Sequence, residues 1–214
     1  MKLLIIDDMA EMIVLAQEQF QKLNQTFNKN NVYFFQKREN DLAIKKFSDY
    51  SSNEDIVNCS FEGFNEEYVC NIIKAFIQDT DSTEQIFVII DVCLKTEYTG
   101  AFTIEDYEDS QEISAQIYRW LNCVRQELKR GWNLQFLIYS RSEIFVDVIS
   151  NVLNNTHDSK YEPDFSRIDC MPENISWAFN LWRPQQQIKE KNATYKYPIF
   201  LNDNVVEYFQ SLSE

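Results

Sequence analysis

The sequence predicts an α/β protein: a doubly wound, mainly parallel five-stranded sheet with helices on both faces and sizeable loop insertions. Short apolar runs recur as Leu3-Leu4-Ile5-Ile6, Val32-Tyr33-Phe34-Phe35, Ile86-Phe87-Val88-Ile89-Ile90 and Leu134-Gln135-Phe136-Leu137-Ile138-Tyr139. They are near-continuous rather than alternating, as strands buried on both faces must be. Between them, apolar residues recur at three- and four-residue steps, the helical period. Strands alternating with amphipathic helices imply a parallel sheet covered on both sides.

The first run ends at Asp7-Asp8, and Met9, Ile13, Ala16, Phe20, Leu23 and Phe27 then mark a helix. The second strand covers 32–35. Residues 36–65 are mixed in character, with Lys37, Arg38, Glu39 and Ser51-Ser52-Asn53, and read as a surface insertion holding one short helix. Val69, Ile72, Ile73, Phe76 and Ile77 mark the next helix, which leads into the strand that ends at Asp91. An acidic connection with Glu105, Asp106, Glu108 and Asp109 follows. Ile113, Ile117, Trp120, Leu121, Val124 and Leu128 make the clearest helix, with Gly131 suited to a left-handed cap. The strand 134–139 runs into Ser140, and Ile144, Phe145, Val148, Ile149 and Val152 form another helix. The fifth strand is expected at 177–182, stopped by Arg183-Pro184, and a last helix around Val205, Val206, Tyr208, Phe209 and Leu212.

The 214 residues fit a single domain, 1–214, with insertions near 36–65, 94–110, 155–176 and 185–200. A hydrophobic content of 44% places the chain among globular proteins rather than disordered ones. A net charge of −14 without a dense Lys/Arg patch argues against nucleic acid as partner and favours a basic protein or a cation. Cys59, Cys70, Cys93, Cys123 and Cys170 lack CxxC spacing and no signal peptide precedes them, so reduced thiols and a cytoplasmic location are expected. No apolar run approaches the roughly 18 residues that span a bilayer, so no membrane role is expected. His157 is the sole histidine and leaves nothing for a histidine-based zinc site or triad.

Ligands of open α/β sheets sit at the carboxyl ends of strands, near the point where strand order reverses. Asp7, Asp8, Asp91 and Ser140 all fall at such ends. Converged carboxylates repel one another unless a hard cation or protons intervene, and their oxygens suit octahedral Mg2+. One Asp beside such a cation can attack phosphorus, with Ser140 hydrogen-bonding the transferred group. A plainer reading makes Asp8 the cap of the following helix and Ser140 ordinary loop chemistry; for Asp8 the two roles are compatible.

The order of these parts resembles the receiver domain of two-component response regulators. That family carries paired acids after the first strand, a phosphoacceptor Asp after the third, Ser or Thr after the fourth and Lys-Pro after the fifth. The matching positions are Asp7 and Asp8, Asp91, Ser140, and Arg183-Pro184. The resemblance runs through nearly the whole chain, across large insertions. It implies a flavodoxin-like fold and Mg2+ held by Asp7, Asp8, Asp91 and the backbone carbonyl of Cys93. It further implies phosphoryl transfer from the phosphohistidine of a histidine kinase to Asp91. Ser140 would sense the phosphoryl group and Arg183 or Arg141 would supply positive charge. With no output domain visible, the signal would pass to a separate effector through protein contacts.

The chain departs from that pattern in several places. Arg183 stands where the family has Lys, and a planar guanidinium does not replace a compact ammonium. Lys160 lies at a more family-like distance from Ser140, but no strand pattern precedes it. Arg141 follows Ser140 where a small residue is usual. Asn180 takes the usual aromatic position, with Phe179 one step out of register; Gly100 is likewise one step out, and Lys95 replaces a common Pro. These departures leave open a pseudo-receiver, the same fold used as a phosphorylation-independent interaction module. A metal-dependent phosphoester hydrolase is a third reading, opposed by the acidic surface and the lack of a catalytic His or Lys near the motifs. The acidic run after Asp91 reads either as a cover over the site or as a solvated helix start. Trp177 and Trp182 read as packing or as a partner surface.

Overall fold

One mixed sheet is assembled from β1 (Lys2–Ile6), β2 (Val32–Arg38), β3 (Asp41–Lys46), β4 (Ile86–Asp91) and β5 (Leu134–Tyr139), in the order β3-β2-β1-β4-β5. The computed structural model describes residues 1–38, 41–61, 66–91, 94, 128, 133–139 and 203–212. Within them lie helices α1 (Ala10–Leu23), α2 (Glu66–Gln78) and α3 (Asp203–Ser211). The helices expected at 113–128 and 144–152 and the strand expected at 177–182 lie outside the described residues.

β1 pairs in parallel with both β2 and β4, and β4 in parallel with β5. The chain thus lays β2 on one side of β1 and later places β4 on the other, so strand order reverses between β1 and β4. Leu3, Leu4, Ile5 and Ile6 are fully buried, as are Ile86, Val88, Ile89 and Ile90. Burial of consecutive residues on both faces explains why these runs do not alternate.

Alternation along the strands sends neighbouring side chains to opposite faces. On one face Phe87 meets Phe209 of α3 and Phe27 beyond α1, with ring centroids 4.9 and 5.8 Å apart. Phe20 of α1 joins the same group, 5.1 Å from Phe209. Edge-to-face pairs of this kind add about 0.5–1.5 kcal/mol each beyond the area they bury. Tyr33 projects to the other face and packs on Phe76 of α2 at 4.9 Å. Phe27 was expected at the end of the first helix. It lies in the turn past Leu23 instead, yet remains buried against Phe20. Asn24 ends α1: its N–H donates to the Phe20 carbonyl, and its side-chain amide donates to the Phe209 carbonyl at 3.1 Å, tying α1 to α3.

Residues 36–61 differ from the expected surface insertion with a short helix. β2 extends to Arg38, and β3 pairs back on it antiparallel, from Tyr33↔Lys46 to Arg38↔Asp41. Two single 3-10 turns, Phe47–Asp49 and Asn53–Asp55, replace the helix. Phe47, Ile56, Cys59 and Phe61 are buried in the core. The segment is polar on average, but most of its apolar residues point inward, Val57 being exposed. Phe61 seats on Phe35 with centroids 5.6 Å apart, and Phe34 meets Phe47 at 5.4 Å.

Candidate functional site

Parallel pairing of Ile6 with Ile90 brings the ends of β1 and β4 level. The next residues in the chain are Asp7-Asp8 on one side and Asp91 on the other. Each of the three carboxylates offers an oxygen within 4.8 Å of the others. Asp7 and Asp8 are buried at 0% and 1% exposure, whereas Asp91 keeps partial access to solvent. The expected convergence of three acids at the carboxyl edge, where strand order reverses, is therefore present.

Local hydrogen bonds orient the pair. The Asp7 carboxylate accepts the Met9 N–H at 2.8 Å, closing a turn that leads into α1. Met9 itself occupies the cap position, with no side-chain cap bond. The expectation that Asp8 caps this helix is corrected: the Ala10 N–H donates to the side-chain oxygen of Asn58, at 2.9 Å. The Asp8 carbonyl accepts the Cys59 N–H at 2.8 Å. Asn58 and Cys59 come from the segment expected to be a surface insertion, and nothing in the spacing around them signals this role.

Burial, followed by the neighbouring Asp7 charge, pushes the Asp8 carboxyl from 3.8 up to about 8. Its Oδ2 is buried and has no hydrogen-bond partner. A buried carboxylate oxygen left unpaired costs free energy. A hard cation between the three acids would satisfy that oxygen and favour the ionised forms, and the all-oxygen donor set is one that could hold such an ion. Asp7, Asp8 and Asp91 are the residues placed to hold it. Cys59 lies close by, but burial first, then the Asp8 charge, pushes its thiol up to about 12 against a hydrogen bond from the Lys37 backbone. It therefore stays a protonated, unreactive thiol at neutral pH. Cys59 and Cys70 are both buried.

Cys93, Ser140, Arg141, Lys160 and Arg183 lie outside the described residues. The strand before Ser140 is in place: Tyr139, the last residue of β5, is the register partner of Asp91. Among the described residues, no helix is long and apolar enough to cross a membrane. No protein-family model matches the chain, and no curated protein or solved structure matches it either.

Proposed function

We propose that this chain is a receiver-like signalling protein of the doubly wound, flavodoxin-like class, acting in the cytoplasm. In this reading it accepts a phosphoryl group on Asp91. The observation that carries it is the asymmetry of the acid cluster: two buried carboxylates, Asp7 and Asp8, beside a third, Asp91, that solvent reaches. Buried acids with an orphaned oxygen suit cation ligands, and the accessible one suits a nucleophile. Bound Mg2+ would supply the positive charge that lets a phosphoryl donor approach three carboxylates.

Asp7 and Asp8 would hold the cation. A carboxylate oxygen of Asp91 forms the new bond to phosphorus as the bond from phosphorus to the donor's leaving group breaks. Ser140 and Arg183 keep the roles the resemblance assigns them, hydroxyl contact and charge neutralisation, and partners are proteins: a histidine kinase upstream and a separate effector. Incubation with acetyl phosphate and Mg2+ should add one phosphate to the intact mass, and Asp91→Asn should abolish the addition. An unchanged wild-type mass counts against the proposal.

The raised Asp8 carboxyl favours a second reading. With an acidity near 8, Asp8 holds a proton at neutral pH and relieves part of the repulsion without any cation. That suits a pseudo-receiver that binds partners irrespective of phosphate. It expects Asp91→Asn to leave partner capture in a pull-down unchanged and wild-type mass unaltered by acetyl phosphate.

A further inference from the structure

We infer that Asn58 is a positioning residue for the acid cluster: it fixes the Asp7–Asp8 turn from outside β1 and α1. The inference rests on the proposed cation site for its purpose, but its geometry stands independently. α1 has no cap of its own, since Met9 carries no polar side chain. Its first N–H groups are instead satisfied from two directions, Met9 by Asp7 and Ala10 by Asn58. One residue further on, the Cys59 N–H holds the Asp8 carbonyl at 2.8 Å. The two bonds from residues 58 and 59 thus clamp the backbone on both sides of Met9. With the peptide planes fixed there, the Asp7 and Asp8 side chains have little freedom to turn away from Asp91.

The clamp is itself well anchored. Ile56, Cys59 and Phe61 are buried, and Phe61 packs on Phe35 of β2. Upstream, Ser52 and Asp55 close a reciprocal capping box. Asn58 is exposed between these anchors, yet its side-chain oxygen turns back onto the start of α1. Mutually repelling carboxylates will spread if the backbone lets them. The segment 56–61 opposes that spreading from its own fixed base, so a part of the chain distant in sequence sets the geometry of the site.

The test uses the full chain in three forms: wild type, Asn58→Ala, and Asn53→Ala as a control on the same segment away from the acids. In cation-free protein, the Asp7 and Asp8 carboxyl carbon resonances should move in Asn58→Ala and stay in place in Asn53→Ala. Mg2+ affinity by calorimetry should fall about tenfold in Asn58→Ala, the usual scale for losing a group that orients a metal ligand. Asn58→Asp, which keeps an acceptor of the same reach, should recover most of it. If the alanine chain does not fold, Asn58→Ser supplies the same carboxyl readout. Unmoved Asp7 and Asp8 resonances in the folded variant overturn the inference. If those resonances move but the wild type binds no Mg2+, the positioning role stands and the proposed function falls.

Discussion

Ile6 of β1 and Ile90 of β4 are register partners on adjacent parallel strands. Both are fully buried, so a one-residue slip would send core side chains to the opposite face and disrupt their packing there. The acids that follow inherit that alignment: Asp7 and Asp8 leave β1 at the level where Asp91 ends β4. The site's geometry is therefore a consequence of core packing beneath it.

The first expectation concerns pH. Asp8 ionises at about 8 in the folded chain and at an ordinary carboxylate value, 3.8, when unfolded. Between those limits the folded state binds the extra proton, so stability should fall as pH rises from about 4 to about 8 and level off above. Each unit of separation corresponds to about 1.4 kcal/mol. Saturating Mg2+ reverses the preference by stabilising the anion, and should raise the melting temperature at pH 8 far more than at pH 5. Thermal unfolding across that range, with and without Mg2+, measures both effects.

Replacing the strained acid should trade cation binding for stability. Asp8→Asn removes a buried like charge and introduces an amide donor beside Asp7. In metal-free protein at pH 8 it should stabilise the fold by about 1–3 kcal/mol, the scale of an unsatisfied buried polar atom. Urea unfolding gives the first quantity. Mg2+ calorimetry on the same variant should show no binding.

Phe209 is fully buried among Phe20, Phe27 and Phe87, and its backbone carbonyl accepts from Asn24. It joins α3 to the sheet and to α1. Phe209→Ala should cost about 3–5 kcal/mol in urea unfolding, as expected for a large cavity in a packed core. The ion pair of Lys2 with Glu84, at 3.6 Å, is partly exposed. Glu84→Gln should cost under about 1 kcal/mol in the same assay.

How much was legible in the sequence depends on where each element draws its stability. β1 and β4 hold unbroken apolar runs, β5 holds one interrupted only by Gln135, and α2 carries Val69, Ile73 and Ile77 at helical spacing, so each is readable locally. β3 is Asp41-Leu42-Ala43-Ile44-Lys45-Lys46, with charges at both ends and no aromatic residue. Its strand state comes from pairing with β2, which no local pattern announces. Lysines on this strand, at the edge of the sheet among the described residues, also suit protection against edge-to-edge pairing.

The acid cluster was legible because each Asp closes an apolar run. Its support was not: Asn58 reaches Ala10 across 48 residues of chain, and a single amide in a polar stretch has no signature. Nor does the sequence distinguish the roles of Asp7 and Asp8. That difference arises because Asp7 accepts the Met9 N–H while Asp8 retains an oxygen with no partner.

The central claim is that Asp7, Asp8 and Asp91 act as one cation site. Its most direct test is a Mg2+ titration at pH 7 in buffers of different ionisation enthalpy. With Asp8 protonated below about 8, binding should occur at one ion per chain and release close to one proton, and Asp8→Asn should abolish both. Absence of Mg2+ binding, or binding that releases no proton and survives Asp8→Asn, would contradict the claim.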